Sequence, residues 1–170
     1  MKEIFLRRSV RSFSDKAIAK EDLLKLAAAG HMAPSARNQD SRAFVIVDDK
    51  NLLERLADVS KYSSFLKEAN ACIAVIGINK DTISTPHMQL SDLGAATENI
   101  LLEATHLKIG SCWLGTYPLP DRMNGAKEIL GIKDDDFVYS LIALGYPKND
   151  DVFFIKDKVD KKNIYWNRVK

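Results

Sequence analysis

The sequence has few of the features that place a protein in a membrane or in an oxidising compartment. Its 170 residues include two cysteines, Cys72 and Cys112, which form no CxxC pair. We expect both to be reduced core thiols of a cytoplasmic protein. The longest clean apolar run, Ala71–Ile78, is far shorter than the about 20 residues that a membrane-spanning helix needs. The N-terminus has no long apolar stretch, so we expect no secretory signal and no membrane partner.

An excess of charge of one sign is also absent. The chain has 25 lysines and arginines against 23 aspartates and glutamates, which gives a formal net charge of +2. Nucleic-acid binders are usually far more basic, so we expect no nucleic-acid partner. A nucleic-acid module that uses the basic ends of the chain is a weaker alternative. The absence of salt-sensitive binding to DNA or RNA would dismiss it.

The sequence patterns of common catalytic sites are missing as well. The eight glycines form no GxGxxG dinucleotide fingerprint, and Gly110–Gly115 is followed by Thr-Tyr instead of the Lys-Ser/Thr of a P-loop. The histidines, His31, His87 and His106, are isolated, and no GxSxG is present. We therefore expect no metal site and no catalytic side chain. This pattern is typical of proteins in which a cofactor carries the chemistry.

Hydrophobic periodicity predicts helices that alternate with strands. The predicted strands are Ala43–Val47, Ala71–Ile78, Ser111–Gly115 and Phe137–Leu144. The predicted helices are Lys20–Ala29, about 51–59, Met88–Leu107 and Asp121–Leu130. Gly30 and Gly131 are predicted to end the helices that precede them. The alternation indicates one layered α/β or α+β domain over residues 1–170.

Three segments carry groups that suit a ligand. Arg7-Arg8-Ser9-Val10-Arg11-Ser12-Phe13 offers three guanidiniums and two hydroxyls for a phosphate, and an extended chain would place Arg7, Ser9 and Arg11 on one face. Ala33–Gln39 offers donors and acceptors to a planar polar ligand. Gly110–Gly115 lets a backbone approach a ligand closely. Taken singly, the first segment is also compatible with an exposed basic terminus, the second is weak evidence for a ligand, and the third is better explained as a buried strand with a tight exit.

Together, these segments resemble the FMN-dependent nitroreductase family. The resemblance rests on RRSVRSF, APSARNQ, the long helix running into GSCWLG, LIALGYP, and IYWNRV near the C-terminus. These motifs cover nearly the whole chain in the family's order. The resemblance implies an α+β nitroreductase-like fold with a central mixed, mainly antiparallel sheet flanked by helices. It also implies a homodimer in which the C-terminal tail docks on the partner subunit.

The resemblance further implies that FMN is bound at the dimer interface and is contacted by both chains. Four positions match the motif that holds the phosphate, ribityl chain and pyrimidine edge: Arg7, Arg8, Ser9 and Arg11. Four would approach the same flavin from the other subunit: Pro34, Ser35, Asn38 and Gln39. Backbone near the flavin N5 would come from Leu114 and Gly115. The phosphate would also meet a tail residue, Lys156 or Lys158, where an arginine is more usual.

The chain departs from the family pattern after APSARNQ. Relatives commonly continue Gln-Pro-Trp, whereas this chain has Asp40-Ser41-Arg42. A carboxylate facing the ring would lower the flavin potential, unless Arg42 neutralises it. The segment Ser60–Leu66, with Tyr62 and Phe65, is predicted to be a lid over the substrate, with core packing as the alternative.

The resemblance implies an enzyme, an FMN-dependent NAD(P)H oxidoreductase. NADH or NADPH would reduce the flavin, and the flavin would reduce an electron-poor small molecule, such as a nitroaromatic compound or a quinone, in a ping-pong cycle. Two alternatives stay open at this point. One is a flavin-binding sensor or carrier without turnover, and the other is a specialised flavin reaction such as reductive dehalogenation.

Overall fold

A four-stranded antiparallel sheet lies at the centre of the computed structural model, which describes residues 2–79, 83–133, 135–155 and 158–169. The strands are β1 (Arg42–Val47), β2 (Ala71–Gly77), β3 (Gly110–Gly115) and β4 (Phe137–Gly145). Their order in the sheet is β1-β2-β4-β3. One parallel bridge, from Ser9 to Ser111, adjoins the β3 edge. The four strands pair antiparallel throughout, which confirms the predicted mainly antiparallel sheet.

Helices cover both faces of this sheet. Within the described ranges they are α1 (Glu3–Leu6), α2 (Lys20–His31), α3 (Lys50–Ala57), α4 (Gln89–His106) and α5 (Pro120–Leu130). Alternate β2 side chains belong to two separate cores, because successive residues of a strand point to opposite faces. Ile73 packs with the α2 and α4 side chains, and Ala74 packs with those of α3 and α5. No helix in these ranges is long and apolar enough to cross a bilayer.

The N-terminal segment pairs with the edge of β3 and then with the residues that follow β4. The backbone N–H of Val10 donates to the carbonyl of Ser111 at 2.9 Å, and that of Ser14 donates to the carbonyl of Tyr146 at 2.8 Å. Phe13 is buried between these contacts. An uncovered edge strand would offer its backbone groups to other chains. The same pairing also brings the basic N-terminal residues beside β3.

The prediction that Gly30 ends its helix is wrong, because α2 continues through Gly30 to His31. A Cβ atom on Gly30 would lie 2.7 Å from Cζ of Phe44 and 2.9 Å from Cδ1 of Ile100. The glycine therefore permits close packing of α2 against β1 and α4. Gly131, in contrast, does end α5 in the left-handed conformation, with φ 63°.

The C-terminal tail contains two short 3₁₀ turns, Asp150–Val152 and Lys161–Asn163. Beyond them the chain exposes apolar side chains, with Trp166 at 89% exposure and Ile164 at 59%. Exposed apolar side chains of this kind are the anchors that docking on a partner subunit requires.

Candidate functional site

A cavity of about 450 Å³ lies at the end of β3. The Leu114–Gly115 segment forms part of its wall, and Tyr62 and Phe65 contribute aromatic rings. A Cβ atom on Gly115 would have only the Tyr117 carbonyl oxygen within 4 Å, at 3.9 Å. The backbone of Gly115 is therefore open to approach by a ligand.

Two smaller hollows continue from this cavity along the N-terminal segment. The first, about 330 Å³, is lined by Arg8, Ser9 and Arg11, and we call it the basic hollow. The second, about 400 Å³, is lined by Arg7, Arg8 and Lys158, and we call it the terminal recess. Arg11 lines both the cavity and the basic hollow, and Arg8 lines both the basic hollow and the terminal recess. The three hollows therefore form one row.

The side chain of Arg8 is held by the tail. Its Nη1 donates to the Phe5 carbonyl at 2.9 Å, its Nη2 donates to the Phe154 carbonyl, and its guanidinium carbon lies 4.6 Å from the centre of the Phe154 ring. Arg7 instead pairs with Glu98 on α4 at 3.2 Å. An extended segment would place Arg7, Ser9 and Arg11 on one face, whereas in the structure Arg8 lines the basic hollow together with Ser9 and Arg11.

The loop Pro34–Asp40 lies apart from this row, and Pro34, Ser35, Asn38 and Gln39 line none of the three hollows. Three of the loop's residues have positive φ angles, with Arg37 at 52°, Asn38 at 53° and Asp40 at 43°. Such angles are uncommon outside glycine and persist where the surroundings hold the backbone in place. The loop must therefore be fixed by contacts with the rest of the protein.

Arg42 is the first of these contacts. It is 4% exposed, and its Nη2 donates to the His31 carbonyl at 2.8 Å and to the Ala33 carbonyl. Nη2 also lies 2.9 Å from Oδ1 of Asp40, which in turn accepts from the Ser35 hydroxyl at 3.1 Å. The alternative that Arg42 neutralises Asp40 is thereby confirmed, because the two residues form an ion pair.

Asp92 on α4 provides the second contact, and sequence reasoning missed it. Its carboxylate accepts from the backbone N–H of Ala36 and from Nε2 of Gln39, both at 3.0 Å. Oε1 of Gln39 accepts from the hydroxyl of Thr85 at 2.9 Å. The amide of Gln39 therefore anchors the loop, and its contact with flavin stays a prediction. The sequence signal for this contact was a carboxylate, Asp92, on the buried face of α4.

The Ser60–Leu66 segment packs in part against the core, and its role as a lid over the substrate stays a prediction. Phe65 is half-buried, and its ring centre lies 6.5 Å from that of Phe13 in the core. Tyr62 is 61% exposed at the cavity. Phe65 thus both packs against the core and lines the cavity, whereas Tyr62 lines the cavity without packing in the core.

Arg122, which lines the cavity, is the second residue that sequence reasoning missed. It lies in the first turn of α5, and its Nη1 donates to the Gly115 carbonyl at 3.1 Å. The only signal was its position seven residues after the GSCWLG motif, at the start of a predicted helix. Lys156, a predicted phosphate contact, lies outside the described residues.

The two cysteines are free and buried, as the sequence predicts. Burial raises the pKa of Cys72 to about 12. Burial also raises the pKa of Cys112, although Arg11 opposes that rise. Within the described ranges, no three histidine, cysteine, aspartate or glutamate side chains are grouped so that they could hold a metal ion.

We expect neither thiol to react in the native protein at pH 8. The thiolate is the reactive form, and a raised pKa keeps each group protonated at this pH. Treatment with iodoacetamide followed by mass spectrometry should show no labelled cysteine in the native protein and two labelled cysteines in denaturant. Rapid labelling of either native thiol at pH 8 would contradict the burial described here.

A sequence model of a protein family, described as "Putative TM nitroreductase", matches residues 1–166. A protein of Archaeoglobus fulgidus named "Putative NADH dehydrogenase/NAD(P)H nitroreductase" is 40% identical over 157 residues, which cover 92% of this chain and 90% of that protein.

Solved structures agree with the sequence match. A crystal structure from Clostridium acetobutylicum titled "Putative NADH Oxidase" has a TM-score of 0.93 at 35% identity, covering 98% of this chain and 99% of that one. An "FMN-dependent Nitroreductase" from Clostridium difficile has a TM-score of 0.87 at 27% identity, covering 97% and 98% of the two chains. The fold is therefore the nitroreductase-like fold that the motifs predict.

Proposed function

Because this chain belongs to the nitroreductase family, we propose that it reduces an electron-poor acceptor, such as a nitroaromatic compound or a quinone. It is an oxidoreductase that uses NADH or NADPH with FMN, in line with the names of its relatives in Archaeoglobus and Clostridium. The observation that carries the proposal is the row of three hollows. It begins at the end of β3, where the Gly115 backbone is open, and extends along the basic N-terminal residues.

The chemistry of the row fits FMN. A flat ring system can lie against the open Gly115 backbone in the cavity, because no side chain projects there. The phosphate belongs at the other end, where Arg8 and Lys158 line the terminal recess. Charge-assisted hydrogen bonds from guanidinium groups to phosphate are among the strongest in proteins. Arg11, which lines both the cavity and the basic hollow, suits the middle of the cofactor.

The loop Pro34–Asp40 is proposed to contact the flavin of a partner subunit. Its predicted flavin contacts line none of the hollows of their own chain. The loop is nevertheless held rigidly by Arg42 and Asp92, as a preorganised binding loop would be. The exposed apolar tail gives further support for a homodimer.

Bound FMN supplies hydride chemistry, so that a nitro compound would react as ArNO₂ + NAD(P)H + H⁺ → ArNO + NAD(P)⁺ + H₂O. This chain's residues bind and orient the reactants. The Leu114–Gly115 segment and Arg11 position the flavin, and the rings of Tyr62 and Phe65 exclude water from the cavity. In this proposal NAD(P)H and the acceptor bind in the same cavity one after the other, which requires a ping-pong order.

The first test is the visible spectrum of the purified protein, followed by identification of the chromophore released on denaturation. We expect a yellow protein that releases about one FMN per chain. Steady-state oxidation of NADH with a quinone should then give parallel double-reciprocal lines. A colourless protein that does not take up FMN would contradict the proposal, and an FMN-bound protein without turnover would be a sensor or carrier.

A further inference from the structure

The cavity contains a guanidinium group that the proposed flavin contacts leave unassigned. Arg122 is half-buried, and its guanidinium carbon lies 5.5 Å from the centre of the Tyr62 ring. Its bond to the Gly115 carbonyl uses Nη1 alone, although a guanidinium has several N–H donors. Within the described ranges, no ion pair joins Arg122 to a carboxylate.

The charge of the cavity is of one sign. Arg11 and Arg122 both line it, and none of the described residues that line it is an aspartate or glutamate. A concave site with charge of one sign concentrates ligands of the opposite sign. Since Arg11 is assigned to the flavin, Arg122 is the cation that remains for the second substrate.

The surroundings of Arg122 favour a planar anion attached to an aromatic ring. The planar fork of a guanidinium matches a carboxylate, to which it can donate two parallel hydrogen bonds. The neighbouring rings of Tyr62, Phe65 and Trp113 offer apolar surface to an aromatic body. The contact between Arg122 and Tyr62 also connects α5 to the Ser60–Leu66 segment, so both partners lie at the same wall of the cavity.

We propose that Arg122 is a specificity-determining residue that selects aromatic acceptors carrying a carboxylate group. The inference rests on the proposed function, because the acceptor must enter the same cavity as the flavin ring. The acceptor's ring lies among the aromatic side chains of the cavity, and its carboxylate accepts hydrogen bonds from Arg122.

The test compares two acceptors of nearly identical shape, 4-nitrobenzoate and 4-nitrobenzamide, on the FMN-loaded protein. We expect wild type to have the higher kcat/KM with 4-nitrobenzoate. Arg122→Gln, which keeps a hydrogen-bond donor without the charge, should lower the ratio of the two kcat/KM values about tenfold. Arg122→Lys should lower it less, because lysine keeps the charge without the fork.

A matched control is Arg55→Gln, which removes the same charge from an exposed position on α3. We expect the acceptor ratio of this variant to equal that of wild type. Calorimetric titration of the purified proteins with benzoate and benzamide supplies a readout without turnover. Arg122→Gln should weaken benzoate binding about tenfold relative to benzamide binding.

The outcomes separate this inference from the proposed function. If wild type reduces neither acceptor, the proposed function fails, and benzoate titration still decides on Arg122. An unchanged benzoate preference in Arg122→Gln, by kinetics or by titration, would overturn the inference. So would a change confined to the preference between NADPH and NADH, since Arg122 would then recognise the nucleotide.

Discussion

Replacement of Gly115 by valine should remove most of the bound FMN and leave the fold intact. The protein itself has room for the new side chain, because the nearest atom to a Cβ at this position is 3.9 Å away. A β-branched residue is also well suited to a strand. The proposed flavin ring, however, lies against this backbone, so the side chain would occupy the cofactor's space. Overpacking of this kind should weaken FMN binding about 10- to 100-fold.

The measurement is the ratio of FMN to protein after gel filtration, together with the Kd from flavin fluorescence quenching. Circular dichroism should show an unchanged melting temperature for the FMN-free Gly115→Val protein relative to FMN-free wild type. Gly125→Ala is the control. Gly125 lies within α5, and a Cβ atom at this position would make an ordinary contact with Cγ1 of Val59, at 3.4 Å. If Gly115→Val retains FMN as tightly as Gly125→Ala does, the ring does not lie against this strand end.

Replacement of Arg42 by methionine should cost on the order of 2–3 kcal/mol of stability, because the buried carbonyl of Ala33 and the partly buried carbonyl of His31 would lose their shared donor. Methionine has a long unbranched side chain, so the apolar part of the packing is kept. For a chain of this size the loss corresponds to roughly 4–12 °C in melting temperature. The loop Pro34–Asp40 would also lose its ion pair between Arg42 and Asp40, and FMN retention should fall with it.

Thermal melts of the FMN-free proteins measure the first effect, and limited proteolysis of the loop measures the second. Arg55→Met, at an exposed position on α3, removes an arginine without removing a buried donor. We expect this control to melt within about 2 °C of wild type. Equal melting temperatures for Arg42→Met and Arg55→Met would show that Arg42 does not hold the loop.

The sequence predicted the strands and the four longer helices to within about two residues. This accuracy has a physical cause in the sheet, where β2 is buried on both faces and its apolar run is therefore unbroken. The role of Gly30 was predicted wrongly because a glycine can either end a helix or allow close packing. Only the tertiary structure, in which the Phe44 ring lies against Gly30, distinguishes these two roles. The four-residue α1 is too short to show a helical period.

The contacts that shape the site could not be predicted from local pattern. The carboxylate of Asp92 accepts a hydrogen bond from the backbone of Ala36, which is 56 positions away in the chain. The local sequence around either residue does not indicate this contact. Arg122 reaches Gly115 only because the chain turns back after β3. The flavin contacts themselves came from the resemblance to the family, and those across the subunit interface stay predictions.

The bond between Val10 and Ser111 has a consequence for how the protein is made. These residues are about a hundred positions apart, so the N-terminal segment leaves the ribosome long before its partner strand exists. Closing so long a loop is slow, and contacts between distant segments form late. Arg8 and Arg11 therefore remain without their final surroundings until β3 has been synthesised and has joined the sheet. This chain's share of the proposed flavin site is therefore assembled only late in translation.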